Sequence, residues 1–255
     1  MLAVDQAGDG PPLLLLHGTT SSRRIWRPLL PELAERATVL ALDLPGHGDS
    51  PPTSFTPPQW ASEVAGFLDQ QGIERTAVVG HSAGGWTALE LAKLGRRHRR
   101  SGPCTGGALA QAVSAHDRSR PQCQLASRSP FRPWRHSRAS LPFGPLGLAS
   151  RDQLPARQIP ADVAVENARA AIGTDSFPRH FAETRRLRFE DGTDIGVPVR
   201  VIWGGRDRIA LPRKSRNVDR LPPQVSVETW GDCGHMLMWD APQRLLKSIQ
   251  SMTGN

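Results

Sequence analysis

A chain of 255 residues, with 38% hydrophobic residues, 24 Gly and 23 Pro, is long enough for one turn-rich α/β domain and asks for no second. Its first ten residues lack a basic start and an apolar core, no later apolar run reaches spanning length, and Cys104, Cys123 and Cys233 have no metal-binding spacing; a cytoplasmic protein with reduced thiols, no metal and no membrane partner is expected. The net charge of +8 would point to nucleic acid if it were spread along the chain, but residues 97–157 alone hold eleven arginines, no lysine and only two acids, Asp117 and Asp152, which leaves the rest close to neutral.

Along the chain, short apolar runs that end in turn residues alternate with longer helical stretches, the pattern of a parallel sheet crossed by helices. Residues 2–4 suggest a cut-short leading strand, and the amino terminus reads as truncated. LLLL at 13–16 and TVLALD at 38–43 predict the next two strands, and 60–71 predicts a helix. TAVVG at 76–80 predicts a buried strand and 84–94 the helix after it. Beyond that helix, a doubly wound topology calls for another buried strand within a few residues, yet residues 97–157 show no β-branched run and little periodicity. Residues 161–188 read as one or two helices of an insertion. VRVIW at 199–203 and VSVETW at 225–230 predict the last two strands, and 242–252 the closing helix.

Chemistry gathers at the ends of these strands. Gly80-His81-Ser82-Ala83-Gly84 fits GxSxG, in which a serine at a sharp strand-to-helix turn takes a positive φ and needs very small residues two positions away on either side. Alone the pentapeptide is a weak signal, since a glycine-rich loop would match it by chance; the strand before it and the helix GWTALELAKL after it give it weight. A serine hydroxyl needs a base, and the base needs an acid to fix its tautomer. His235 follows the last strand by a short loop and Asp207 follows VRVIW, so Ser82, Asp207 and His235 are expected to meet at one sheet edge as nucleophile, acid and base. Asp232 lies near His235 but has no strand immediately before it and is left out of the triad. His17-Gly18-Thr19-Thr20 follows LLLL; with Ala83, the residue after the nucleophile, this loop is expected to supply the two backbone N–H donors of an oxyanion hole, from Thr19 or alternatively Thr20. For His17 a hydrogen bond that shapes the turn is expected rather than a role as base.

LLLLHG, DLPGHGDS at 43–50, GHSAGG, WGGRD and CGH together resemble the α/β-hydrolase fold superfamily, in its branch of serine esterases, cofactor-free haloperoxidase-like enzymes and C–C hydrolases. The resemblance covers residues 2–95 and about 160–255. It implies a mostly parallel, doubly wound sheet with helices on both faces and a cap inserted after the sixth strand. A serine at the elbow argues against haloalkane dehalogenases and epoxide hydrolases, which carry aspartate there, and His47 and Asp49 belong to a loop signature of structural role. The expected organisation is 1–96 as the first part of the core, 97–190 as the cap region with 97–157 irregular, and 191–255 as the second part of the core.

Three readings compete for residues 97–157: a disordered arm, a nucleic-acid patch, and a stretch translated out of frame. Decoded one base out, the codons of 97–114 allow a run containing VLALAP, a buried strand followed by a small-residue turn, which accounts for the absent strand, the arginines and two stray cysteines together. The resulting expectation is a serine hydrolase that acts on a small-molecule ester or related acyl substrate, without cofactor and without a nucleic-acid partner. The alternative is a weak or inactive scaffold that lacks the sixth core strand.

Overall fold

The computed structural model describes residues 1–98, 109–112, 162, 164–165, 169, 176–184, 187–210 and 218–253. Seven strands form one sheet in the order β1-β3-β2-β4-β5-β6-β7: β1 (Val4–Ala7), β2 (Pro12–Leu16), β3 (Thr38–Leu42), β4 (Ala77–Gly80), β5 (Leu109–Ala112), β6 (Val199–Gly204) and β7 (Ser226–Trp230). The helices are α1 (Leu30–Ala34), α2 (Pro57–Gln70), α3 (Ala83–His98), α4 (Ser176–Thr184), α5 (Leu237–Asp240) and α6 (Pro242–Thr253). β2, β3, β4, β6 and β7 run in one direction, while β1 at the edge and β5 in the interior run against their neighbours. This is the α/β-hydrolase architecture expected from the sequence. Among the described residues no helix is long and apolar enough to cross a membrane.

The period-two geometry of a strand explains why the central runs are apolar throughout. Leu13 and Leu15 of β2, with Val39 and Ala41 of β3, join a core that contains Trp26, Leu33, Leu237 and Leu245 on one face of the sheet. Leu14, Leu16, Leu40 and Leu42 enter the opposite core with Trp60, Val64, Phe67 and Leu91 from α2 and α3. A strand covered on both faces has no solvent side on which to place polar residues. Burial of each such leucine is worth about 1.5–3 kcal/mol, so the sheet edge that carries the loops is rigidly founded. α2 starts at a capping box, in which the Gln59 side chain accepts from the Thr56 N–H at 3.2 Å, and has Pro57 in its first turn.

Two expectations need correction. The leading strand occupies Val4–Ala7, not 2–4, and pairs antiparallel with β3 from Val4 opposite Leu42 to Ala7 opposite Val39. Residues 97–157 do place a strand in the sheet: β5 fits between β4 and β6, with Gly80 opposite Ala110 and Val201 opposite Ala110 on its other side. Its direction is reversed, and it has only four residues. Buried strands cannot leave rows of N–H and C=O groups unpaired, and an extended segment can satisfy them in either direction, because the ladder is made by backbone. Residues 97 and 98 close α3, while 99–108 and 113–157, and with them the out-of-frame reading, lie outside the described residues.

Candidate active site

At the end of β4 the chain turns sharply into α3, and Ser82 sits at the turn with φ 53°, in the left-handed region. A non-glycine residue there is uncommon and is held by its surroundings. The glycines two positions away make the turn feasible: a Cβ on Gly80 would overlap the Gly84 carbonyl, and a Cβ on Gly84 would overlap the carbonyls of His17 and Leu16 at the end of β2. Gly18 lies so close to the serine that a Cβ there would be 2.9 Å from the Ser82 Cβ. Ala83 opens α3, so its N–H has no acceptor within the helix and the positive end of the helix dipole lies at the serine.

Asp207 and His235 lie past the ends of β6 and β7. The His235 Nδ1–H donates to Asp207 Oδ2 at 2.9 Å, and both residues are buried. The other carboxylate oxygen accepts the backbone N–H groups of Ile209 at 2.8 Å and Ala210 at 2.9 Å. Burial works against the Asp207 charge, but the hydrogen bond and charge interaction with His235 and the two backbone donors outweigh it and hold its pKa below the ordinary value. The pair is linked to the serine turn through His81: its Nε2–H donates to the His235 carbonyl at 3.0 Å, and the two rings meet edge to face with centroids 4.7 Å apart. Asp240 adds a further tie by accepting the Gly234 N–H at 2.7 Å. Asp232 stands apart from this cluster, exposed and paired with Arg244 at 3.3 Å.

The loop after β2 completes the arrangement. His17 Nδ1–H donates to the Gly18 carbonyl at 2.7 Å, and its Nε2 accepts the Leu44 N–H at 3.0 Å. Burial holds His17 down to about pKa 4, so the ring is neutral and shapes the turn instead of taking protons. Thr20 has φ 59°, a costly conformation for a β-branched residue. His47 donates through Nδ1 to the Pro45 carbonyl at 3.0 Å, while Asp49 pairs with Arg23 at 2.9 Å. Arg23 also bonds Asp5 and the fully buried Asp43, and so pins β1, the loop after β2 and the loop after β3 to one guanidinium.

The structure therefore brings Ser82, Ala83, Thr19, Asp207 and His235 to one edge of the sheet and leaves Asp232 outside. Two participants were not singled out in the sequence. Arg23 lies in no recognisable motif, and His180 is a lone histidine on the amphipathic helix α4, where the bland reading would prevail; it reaches Thr19 at 3.1 Å. Among the described residues, no three His, Cys, Asp or Glu side chains gather in a way that could hold a metal ion.

Residues 13–247 match a family model described as the alpha/beta hydrolase family. The chain is 34% identical over 241 residues to the dihydrolipoyllysine-residue acetyltransferase component of the acetoin cleaving system of Cupriavidus necator, an alignment covering 91% of this chain and 60% of that protein. It thus spans about three-fifths of that relative's length. A hydrolase from Pseudomonas aeruginosa superposes with a TM-score of 0.70 at 18% identity, over 100% of this chain and 94% of the other. An esterase from Thermogutta terrifontis superposes with a TM-score of 0.65 at 22% identity, over 98% and 92%. At these identities the two solved structures share the fold with this chain.

Proposed function

This chain belongs to the alpha/beta hydrolase family, and from that premise we propose that it hydrolyses a carboxylic ester, or a related acyl bond, through an acyl-serine intermediate on Ser82. One observation carries the proposal: a serine in the left-handed region at a strand-to-helix turn lies one residue from His81, whose ring is hydrogen-bonded to His235, itself paired with Asp207. A serine at this turn supports acyl chemistry over epoxide or haloalkane opening, and the esterase neighbour is consistent with it. The activity named for the Cupriavidus relative is not carried over, because the chain spans only part of that protein.

In the proposed reaction the Ser82 hydroxyl gives its proton to His235 Nε2 as Oγ bonds to the carbonyl carbon. Negative charge moves to the carbonyl oxygen, where the N–H groups of Ala83 and Thr19, with Thr20 as the alternative to Thr19, receive it; removal of one such donor typically costs about 3 kcal/mol. Asp207 holds Nδ1–H in place and stabilises the imidazolium. The tetrahedral species collapses as the alkoxide leaves with the His235 proton, giving alcohol and acyl-serine. Water, deprotonated by His235, then attacks the acyl carbon; Ser82 Oγ departs and recovers the proton, and the acid is released. None of these steps draws on a cofactor.

Labelling the full chain with a fluorophosphonate, together with turnover of 4-nitrophenyl acetate, tests this function. Wild type should label at one site and turn over, and Ser82→Ala should do neither. Labelling at full strength in Ser82→Ala would remove Ser82 as nucleophile. The second reading is an inactive scaffold, favoured by the reversed four-residue β5 beside β6, the strand that leads to Asp207; a folded wild type that neither labels nor turns over would establish it.

A further inference from the structure

We propose that His180 is a positioning residue for the Ser82 reaction: from α4 it clamps Thr19, and with it the strained turn that offers the second oxyanion donor. The proposal rests on the serine mechanism above and adds to it a residue that acts through Thr19. His180 is buried, and both its ring nitrogens are engaged. Nδ1–H donates to the Phe55 carbonyl at 2.6 Å, which leaves Nε2 unprotonated in the neutral ring and able to accept the Thr19 Oγ1–H at 3.1 Å. Rotation of the ring is opposed by stacking on Trp60, with centroids 4.7 Å apart and planes 18° from parallel. The next residue back, Arg179, lies over the Phe55 ring at 4.1 Å, so α4 is fastened to the segment leading into α2 by two side chains in succession.

The turn needs such a fastening. Thr20 occupies a conformation that persists only where neighbours over-determine it. His17 grips the turn from the core side through the Gly18 carbonyl, and His180 grips it from the α4 side through the Thr19 hydroxyl. Thr19 and His180 are 161 residues apart in sequence, so docking of α4 and readiness of the oxyanion turn are one event. Burial keeps the His180 pKa below its ordinary value and so preserves the acceptor at neutral pH.

The test uses His180→Phe, which keeps a ring on Trp60 and removes both polar bonds, Thr19→Val, which removes only the hydroxyl, Thr19→Ser, which keeps it, and the His180→Phe/Thr19→Val double variant. With 4-nitrophenyl acetate, and active sites counted by fluorophosphonate, kcat per active site should fall about tenfold in each of the first two with KM little changed. The double variant should be no worse than the poorer single, because both substitutions cut the same link, and Thr19→Ser should restore the rate. A readout independent of catalysis accompanies this: amide hydrogen exchange of a peptide covering residues 17–21 should quicken in His180→Phe and Thr19→Val and return to the wild-type rate in Thr19→Ser. A double variant about a hundredfold down, a Thr19→Val enzyme with wild-type kcat, or unaltered exchange would each overturn the clamp. Failure of the serine mechanism is seen separately, as a wild type that does not label while the exchange pattern still follows the clamp.

Discussion

Gly66 and Gly84 lie on neighbouring helices, and the same substitution should act on them with opposite sign. A Cβ at Gly66, inside α2, meets nothing within 4 Å. Gly66→Ala therefore collects only the helix-propensity difference, a stabilisation of about 0.5–1 kcal/mol. For a domain of this size that is a rise of about 1–4 °C in Tm. Gly84 lies in the first turn of α3, where the propensity gain is smaller, and its new Cβ would overlap the His17 and Leu16 carbonyls. Those atoms belong to the end of β2 and cannot swing aside as a flexible side chain would. Overpacking of this kind costs about 1–3 kcal/mol, so the balance is a loss, with Tm down by several degrees. The activity cost should be larger, since His17 leads directly into the turn that carries Thr19, and a displacement of about 1 Å at a reacting centre can cost about a hundredfold in rate. Differential scanning calorimetry and 4-nitrophenyl acetate turnover per fluorophosphonate-reactive site measure the two effects on the same samples. If Gly84→Ala melts as high as Gly66→Ala and keeps wild-type turnover, the close approach of β2 to the nucleophile turn is refuted; a lower Tm in Gly66→Ala would refute the open space on α2.

Asp207→Asn should fold yet lose up to about four orders of magnitude in kcat, because an amide cannot favour the imidazolium; turnover near wild type would identify another carboxylate as the orienting acid. The same variant should flatten the acid limb of stability: the depressed Asp207 pKa contributes stability present above the ordinary carboxylate value and lost as pH falls through its folded value. Burial first, then the interaction with neighbouring histidines, which would repel a second proton, holds His47 and His81 down to about 3, and burial holds His17 to about 4. The unfolded chain therefore binds protons near pH 6.5 that the folded chain refuses. Urea midpoints should fall as pH drops from 6.5 toward 4, each histidine contributing up to about 1.4 kcal/mol per pH unit, and a flat profile across that window would count against neutral burial. Arg23→Met strips the guanidinium from buried Asp43 but leaves it the N–H groups of Arg23 and Asp49. The loss should therefore sit at the low end for a broken buried pair, about 3 kcal/mol, and an unchanged Tm would show that the carboxylate is satisfied by backbone alone.

Much of the core was legible because its strands obey a simple constraint: a run such as Leu13 to Leu16, apolar on both faces, has few places to go except the middle of a covered sheet. The GxSxG turn was legible for a related reason, since overlap at Gly80 and Gly84 leaves no room for other residues. Less was visible where backbone decides. β5 carries no strand signal because its place in the sheet follows from unpaired groups on β4 and β6, which its own side chains do not encode. α1 and α5, of five and four residues, are too short to show a period. His180 and Arg23 act through partners distant in sequence, Thr19 for one and Asp5, Asp43 and Asp49 for the other, and no local spacing announces such pairings.

β4 and β6 do not touch within the sheet, and the backbone ladder between them passes through the four residues of β5. On the proposed chemistry, the nucleophile lies on one side of that seam and its base and acid on the other, joined near the reacting centre by the His81–His235 hydrogen bond. A nascent chain that has folded only as far as α3 would then present Ser82 as an ordinary alcohol, unable to acylate itself on the esters around it. Reactivity would switch on only when β6 and β7 dock and deliver the imidazole, which makes the divided layout a form of latency during synthesis.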